Sequence, residues 1–162
     1  MTRKNSYGIL CMGALTAVGL LCPSCSDDGR IWTKSVSLPG SEWSADRKLI
    51  FEPDSDILMK DKATRLIMFV RYRGDSNFQT LPLLVETESE AVGHEYSVDS
   101  VKIKLFDEGG IPAGKGNFGT YEKADTFSML YPIPPGWSMT VRPVLDNENA
   151  KGIVDFGITL LK

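Results

Sequence analysis

Apolar and polar residues alternate with a period of two along most of the chain beyond residue 30, which is the pattern of β-strands. In the segment 65–73 both alternating sets begin apolar, which predicts a central, well-buried strand. Three further segments, 99–107, 137–143 and 153–161, are predicted to bury one face each. No window shows an apolar stripe of helical period over three turns. Four weaker strand candidates complete the set: 30–36, 48–53, 81–88 and 126–133.

Short clusters of Gly, Pro, Asp and Asn separate the predicted strands and mark turns. About eight short strands with hardly any helix predict an all-β fold, a single antiparallel β-sandwich with the jelly roll as one candidate topology. Prolines inside strand-like runs predict edge or bulge positions at Pro82, Pro132 and Pro143. In the last strand, the predicted buried face consists of Val154, Phe156, Ile158 and Leu160.

The first 24 residues have the features of a secretory signal peptide. Arg3 and Lys4 give a positive start, and the run 7–21 is uncharged and mostly apolar. That run is too short to span a bilayer comfortably, since spanning takes about 20 apolar residues. Its position, charge and length therefore predict a cleaved export signal rather than a membrane anchor.

The end of this segment predicts a bacterial lipoprotein. Cys25 follows a serine, and a small residue there suits cleavage that leaves the cysteine as the new N-terminus, ready for acylation with chains such as palmitate. Cys22 follows a leucine and fits cleavage poorly. We predict a signal peptide over 1–24, a lipidated tether over 25–30 and a β-sandwich domain over 31–162. An ordinary signal peptide with incidental cysteines is the alternative.

All three cysteines lie in this N-terminal region, so the predicted domain has no disulfide and depends on its core. Without Arg3 and Lys4 the chain keeps 16 basic and 21 acidic residues, a net charge of −5. Nucleic-acid binding needs a basic surface, which this balance does not supply. We therefore expect no nucleic-acid partner.

The segment 113–122, "AGKGNFGTYE", places Gly114, Gly116 and Gly119 at the spacing of a dinucleotide-binding fingerprint. That fingerprint works only where a parallel strand leads into a helix whose N-terminus faces the phosphates. Here the segment joins two strand-like runs, and no helical stripe follows. We predict a glycine-rich loop or irregular strand, in which glycine supplies a positive φ or close backbone approach.

Candidate catalytic and metal-binding residues are sparse. His94 is the only histidine, and nothing indicates its partners in a catalytic triad. A zinc site needs three or four ligands, which one histidine and an acylated cysteine do not supply. Oxygen-bearing residues at 54–56 and 146–149 are suited to calcium but match no recognised loop and are typical of turns. We predict a protein without enzymatic activity, metal or cofactor.

The aromatic residues allow two interpretations. Exposed in a row, they would form a platform for stacking on sugars; buried, they would belong to the core or to an interface. Trp137 continues an apolar face and is predicted to be core, while Trp43 precedes a strand and is expected to cap the sandwich. The set comprises Trp32, Trp43, Trp137, Tyr72, Tyr96, Tyr121 and Tyr131.

Five motifs follow one another along the chain: "CSDD", "LPGSEWS", "RLIMFVRYRGDSNFQTLPLLVETE", "AGKGNFGTYE" and "KGIVDFGITLLK". Each motif is weak alone, but in this order and spacing they resemble the gliding-motility lipoprotein GldH family. The resemblance covers nearly the whole chain after the signal peptide. The loop around "FDEGGIP" and the short stretch before the last strand depart from the family pattern.

The resemblance implies a lipid-anchored outer-membrane protein, on its periplasmic or cell-surface side, that is needed for gliding. It implies a non-enzymatic component that works with motility or secretion proteins of the envelope, and it supplies no catalytic residues. Relatives in non-gliding bacteria point to a wider envelope role. A surface glycan-binding β-sandwich module is the alternative function. Lipidation of Cys25 is the one predicted site.

Overall fold

The computed structural model describes residues 29–54, 64–90, 95–130, 133–146 and 148–162. These residues form an all-β fold in which every strand pairing is antiparallel. The predicted signal peptide over 1–24 and the predicted lipidation site Cys25 lie outside the described residues.

The described part of the chain contains eleven strands and one short 3₁₀ turn, Pro39–Ser41. The strands are β1 Arg30–Ser37, β2 Glu42–Trp43, β3 Leu49–Phe51, β4 Thr64–Arg73, β5 Thr80–Glu88, β6 Tyr96–Lys104, β7 Lys115–Asn117, β8 Thr120–Leu130, β9 Ser138–Pro143, β10 Ala150–Lys151 and β11 Ile153–Leu161.

Two main sheets form a sandwich. One has five strands in the order β1-β11-β4-β8-β7, and the other has four in the order β3-β9-β5-β6. Strands β10 and β2 pair separately. A single hydrophobic cluster joins the facing sides of both main sheets, and its members are almost fully buried. Representative core residues are Leu66, Met68, Val70 and Tyr72 from β4 and Leu81, Leu83 and Val85 from β5.

The prediction of an antiparallel β-sandwich is confirmed, and each of the eight predicted segments overlaps a strand. Segment 65–73 is the centre of the five-stranded sheet, as its two apolar faces indicated. The predicted number of strands was too low because β2, β7 and β10 have only two or three residues each. An alternation needs more residues than that to be visible in a sequence.

Two details of the strand predictions are corrected. Pro82 lies in β5, which has neighbours on both sides, and not on an edge. The proline is tolerated because β9 pairs only from Leu83 onward, and the Pro82 carbonyl accepts the Val144 N–H at 2.9 Å. In β11 a register shift next to Val154 puts Ile153 in the core instead, so only the rest of the predicted face is buried.

The side of the sandwich between β6 and β8 is open, and charged residues line it. Asp99 on β6 lies opposite the buried Val85 and therefore on the inner face of its sheet. Lys123 and Asp125 occupy the inner face of β8 and form an ion pair at 3.0 Å. Charges that point inward discourage pairing between exposed strand edges, which otherwise leads to aggregation.

One acidic side chain is buried in the five-stranded sheet. Asp155 of β11 is 1% exposed and lies directly opposite Arg71 of β4, with which it forms an ion pair. The hydrogen bond from Arg71 to Asp155 is the main cause that raises the pKa of the Arg71 guanidinium. The pair therefore links the two central strands electrostatically as well as through their backbones.

We expect Arg71→Gln to lower the free energy of unfolding by about 1–3 kcal/mol, because the Asp155 carboxylate then remains buried without a cation. Urea denaturation followed by tryptophan fluorescence measures the change. Arg73→Gln is the matched control, since Arg73 pairs at 2.7 Å with Asp75 and both side chains are exposed. The control should lose less than about 0.5 kcal/mol, and equal losses for both variants would contradict the assigned role of Arg71.

Candidate interaction site

The glycine-rich segment folds as a β-hairpin. Its arms are β7 and the start of β8, and Asn117 pairs with Thr120 across a two-residue turn. The turn residues, Phe118 and Gly119, have φ of 50° and 79°. Positive φ at both central positions is the requirement of the type I′ turns that join strands most tightly. The hairpin tip lies at the end of β4, where Arg73 is opposite Thr120.

The other two glycines of the motif permit close approach of the backbones. A Cβ at Gly116 would lie 2.7 Å from Tyr121 Cα, and one at Gly114 would lie 2.7 Å from Glu122 C. No side chain fits there, so the glycines serve the hairpin and not a phosphate group. The prediction that glycine supplies a positive φ and close approach is confirmed. The segment runs into a strand and not into a helix, as a dinucleotide site would need.

The hydroxyl of Tyr72 holds the base of the hairpin. It donates to the Leu105 carbonyl at 2.6 Å and accepts the Gly114 N–H at 2.9 Å. The ring packs edge-on against Phe106 with centroids 5.4 Å apart and lies 5.9 Å from Tyr121. Burial raises the pKa of Tyr72, so the hydroxyl stays protonated and able to donate.

Backbone hydrogen bonds fix the rest of the hairpin to the sandwich. Gly74 donates to the Gly119 carbonyl at 2.9 Å, which joins the turn to the loop after β4. Ala113 donates to the Leu105 carbonyl at 2.8 Å just before the hairpin begins. The hairpin is therefore held at its turn and at its base, although the Phe118 side chain itself is fully exposed.

The candidate residues for chemistry do not converge. His94, Asp56 and Asn147 lie outside the described residues, and Asp54 and Asp146 are exposed. Among the residues that the structure describes, no three His, Cys, Asp or Glu side chains are grouped so that they could hold a metal ion. The hypothesis of a calcium site therefore gains no geometric support.

A negatively charged cavity of about 300 Å³ lies at the other end of the sandwich. Three carboxylates line it, Glu88, Glu90 and Glu95, together with Tyr96. Ser89 also lines it, and the Ser89 hydroxyl is buried without a hydrogen-bond partner. Among the residues that the structure describes, the lining contains no basic residue. The glutamates are visible in the sequence, but their grouping around one cavity is not.

The tryptophans are not arranged as a sugar-binding platform. Trp43 is fully buried, contacts Phe156 at 5.2 Å between ring centroids and donates its indole N–H to the Arg47 carbonyl at 2.9 Å. Trp137 is 4% exposed, as predicted for a core residue, and Trp32 is half-buried. Tyr96 is 63% exposed, but no other described Trp or Tyr is among the exposed large apolar residues. Buried rings cannot stack on a ligand, which weakens the glycan-binding alternative.

The described residues include no helix long and apolar enough to cross a membrane. Comparison with protein families gave a match to the GldH lipoprotein family over residues 30–160. Comparison with curated proteins gave no match. Among solved structures, the chain is similar to the Eiger TNF of S. frugiperda, with 13% identity and a TM-score of 0.31. That similarity covers 62% of this chain and 59% of the other, and at this TM-score it carries no argument.

We expect Tyr72→Phe to lower the free energy of unfolding by about 1–3 kcal/mol, because the Gly114 N–H then loses its partner and the Leu105 carbonyl keeps only the Ala113 N–H. Urea denaturation measures this loss, and hydrogen exchange of the hairpin amides should rise with it. Tyr121→Phe is the control, since its hydroxyl makes no hydrogen bond within the described chain. A loss in the control as large as in Tyr72→Phe would contradict the role of the hydroxyl.

The raised pKa of Tyr72 also predicts a pH dependence. The folded state favours the protonated hydroxyl, so this stabilisation is complete below the ordinary pKa of about 10 and is lost as the pH rises through the raised value. Above pH 10 the free energy of unfolding should therefore fall more steeply in the wild type than in Tyr72→Phe. Denaturation curves measured from pH 8 to 11 test this, and parallel profiles would contradict it.

Proposed function

The chain belongs to the GldH lipoprotein family, and we propose that it is a lipid-anchored, non-enzymatic protein of the bacterial envelope that works with a gliding-motility or secretion machine. The observation that carries this proposal is the extent of the family match, which takes in the sandwich from its first strand to its last. The family description implies a lipoprotein of the cell envelope. The location in the outer membrane and the work with a motility machine go beyond that description and belong to the proposal.

The anchor in this proposal is the lipid on Cys25. Each methylene that enters the bilayer contributes about 0.8 kcal/mol, and several acyl chains together hold a protein far more firmly than one. Residues 25–29 would span at most about 17 Å when fully extended, so the sandwich stays near the membrane surface. The tether enters the fold beside the last residue, since the Lys162 N–H donates to the Gly29 carbonyl at 2.8 Å.

The proposed absence of enzymatic activity is supported by the contacts that the buried polar side chains make. Tyr72 and Asp155, the buried groups with strong polar contacts, bond to the scaffold. The glycine motif shapes a hairpin, and among the described residues the carboxylates around Glu88 share their cavities with hydroxyl groups of Ser, Thr and Tyr side chains. Interaction with other proteins through loops at the strand ends fits this distribution better than catalysis does.

The alternative of a glycan-binding module has less support. It would need a row of exposed aromatic rings on one sheet face, whereas Trp43 and Trp137 are part of the core. Tyr96 alone is a weak platform, since carbohydrate affinity of this kind depends on several rings.

We expect Cys25→Ala to abolish palmitate labelling and to release the domain in soluble form, because the acyl chains supply the membrane affinity. Metabolic labelling and fractionation of cells measure both effects. Cys22→Ala is the matched control and should leave labelling intact. Labelling that follows Cys22 would contradict the predicted cleavage site.

In-cell crosslinking of the tagged protein, with mass spectrometry of what co-purifies, tests the function itself. Recovery of motility or secretion proteins is the expected result, and deletion of the gene should impair spreading over a surface or secretion. Recovery of polysaccharide-uptake proteins, or of glycan alone, would favour the binding-module alternative.

A further inference from the structure

We propose that Phe118, at the tip of the β7–β8 hairpin, is the anchor by which this protein docks into an apolar pocket of a protein partner. The inference rests on the proposed function, in that it assumes a partner in the envelope. It adds the contact element, the chemistry of the partner's surface and the end of the molecule that meets it.

The first argument is that Phe118 contributes nothing visible to the stability of its own fold. Its relative exposure is 101%, whereas the other exposed large apolar side chains lie between 46% and 65%. Its φ of 50° lies in the left-handed region, which is unfavourable for a bulky residue and favours Asn or Gly. A phenylalanine here therefore exposes apolar surface and strains the backbone. Such strain concentrates at binding and catalytic sites.

The second argument is that the hairpin is rigid. Three residue pairs join β7 to β8, from Lys115 with Glu122 to Asn117 with Thr120. The Gly74 N–H holds the turn through the Gly119 carbonyl, and the Tyr72 hydroxyl holds the base through Gly114. The ring is therefore presented on a fixed support, so little conformational entropy is lost on binding. Aromatic side chains, phenylalanine among them, are enriched in the cores of protein interfaces.

The third argument concerns where the tip lies relative to the tether. Arg30, where the first strand begins, is at the end of the sheet formed by Leu161 and Arg65. Phe118 is at the opposite end, next to Arg73. The eight residue steps of β4 from Arg65 to Arg73 separate these ends by roughly 26 Å. The tether of about 17 Å leaves from the far end, so the tip points away from the membrane that holds the lipid.

The surroundings of the tip favour a protein over a lipid bilayer. The charges at this end are of both signs, since Arg73 pairs with Asp75 and Lys115 is balanced by Asp107 and Glu108 in the neighbouring loop, so the tip is not the basic surface that anionic headgroups attract. Ile111, 65% exposed in the loop before the hairpin, adds a second apolar contact at the same end. Exposed apolar side chains with charged residues at the same end match the usual plan of an interface core and its border.

The experiment replaces Phe118 with the photoreactive residue p-benzoylphenylalanine in the full-length protein and irradiates living cells. Val98, 48% exposed on β6, receives the same replacement as a control on another surface. We expect a discrete protein adduct from position 118, identified by mass spectrometry, and at most a weak one from position 98. A second variant, Phe118→Asn, removes the ring and suits a positive φ.

We expect Phe118→Asn to reduce co-purification of that same partner at least about tenfold, as loss of an interface hot spot does. Its urea midpoint should be equal to or higher than that of the wild type, because the strain is relieved. Val98→Asn should leave co-purification unchanged. Palmitate labelling should be normal in all variants, which shows that the anchor is intact.

Several results would overturn the proposal. Adducts from position 118 with lipid only would place the tip in a membrane, and a large loss of stability in Phe118→Asn would give the ring a structural role. A partner that is captured at position 98 but not at 118, and is retained by Phe118→Asn, would refute this docking element while leaving the proposed function in place. If neither position nor general crosslinking captures an envelope protein, the proposed function itself fails.

Discussion

The hydroxyl of Tyr72 is the contact on which the arrangement of the loops at one end of the sandwich depends. Tyr72 is the ninth residue of β4, the central strand, and its ring faces the core. From there its oxygen reaches the end of β6 through Leu105 and the base of the hairpin through Gly114. These two partners are nine residues apart in the chain, and one buried hydroxyl fixes both. Because an unpaired polar group would be costly in that position, the contact specifies a single arrangement of the loop between them.

Charged side chains on the strands limit which further segments can pair with the sheets. The pair of Arg71 and Asp155 joins the neighbouring strands β4 and β11 beside the register shift at Val154. On the open side, Asp99 and the Lys123–Asp125 pair occupy positions that a closing strand would have to bury. The sandwich can therefore remain unclosed along β6 and β8 without offering a bare edge to another chain.

The sequence permitted prediction of those strands whose alternation extends over enough residues to be seen, such as 65–73 and 153–161. It did not reveal β7 or the type I′ turn, since Gly114, Gly116 and Gly119 are compatible with a loop, a bulge or a phosphate site. The burial of Asp155 was also hidden, because it depends on an arginine 84 residues earlier in the chain. The same holds for Pro82, whose position is acceptable only because β9 stops at Pro143. The failures at Asp155 and Pro82 concern pairing between distant segments, which local periodicity does not encode.

Family membership and geometry together suggest that the two ends of the domain have different roles, one in membrane attachment and the other in contact with a partner. The core is filled by side chains from both sheets, so the residues available for function are those at the strand ends. One end receives the tether and carries the carboxylates around Glu88. The other end presents Phe118 on a braced hairpin. A stiff antiparallel sheet between them keeps the distance constant, so in the proposed role membrane attachment and partner contact act independently. An anchored protein of this kind needs no catalytic group, because its effect would come from holding a partner at a set distance from the membrane.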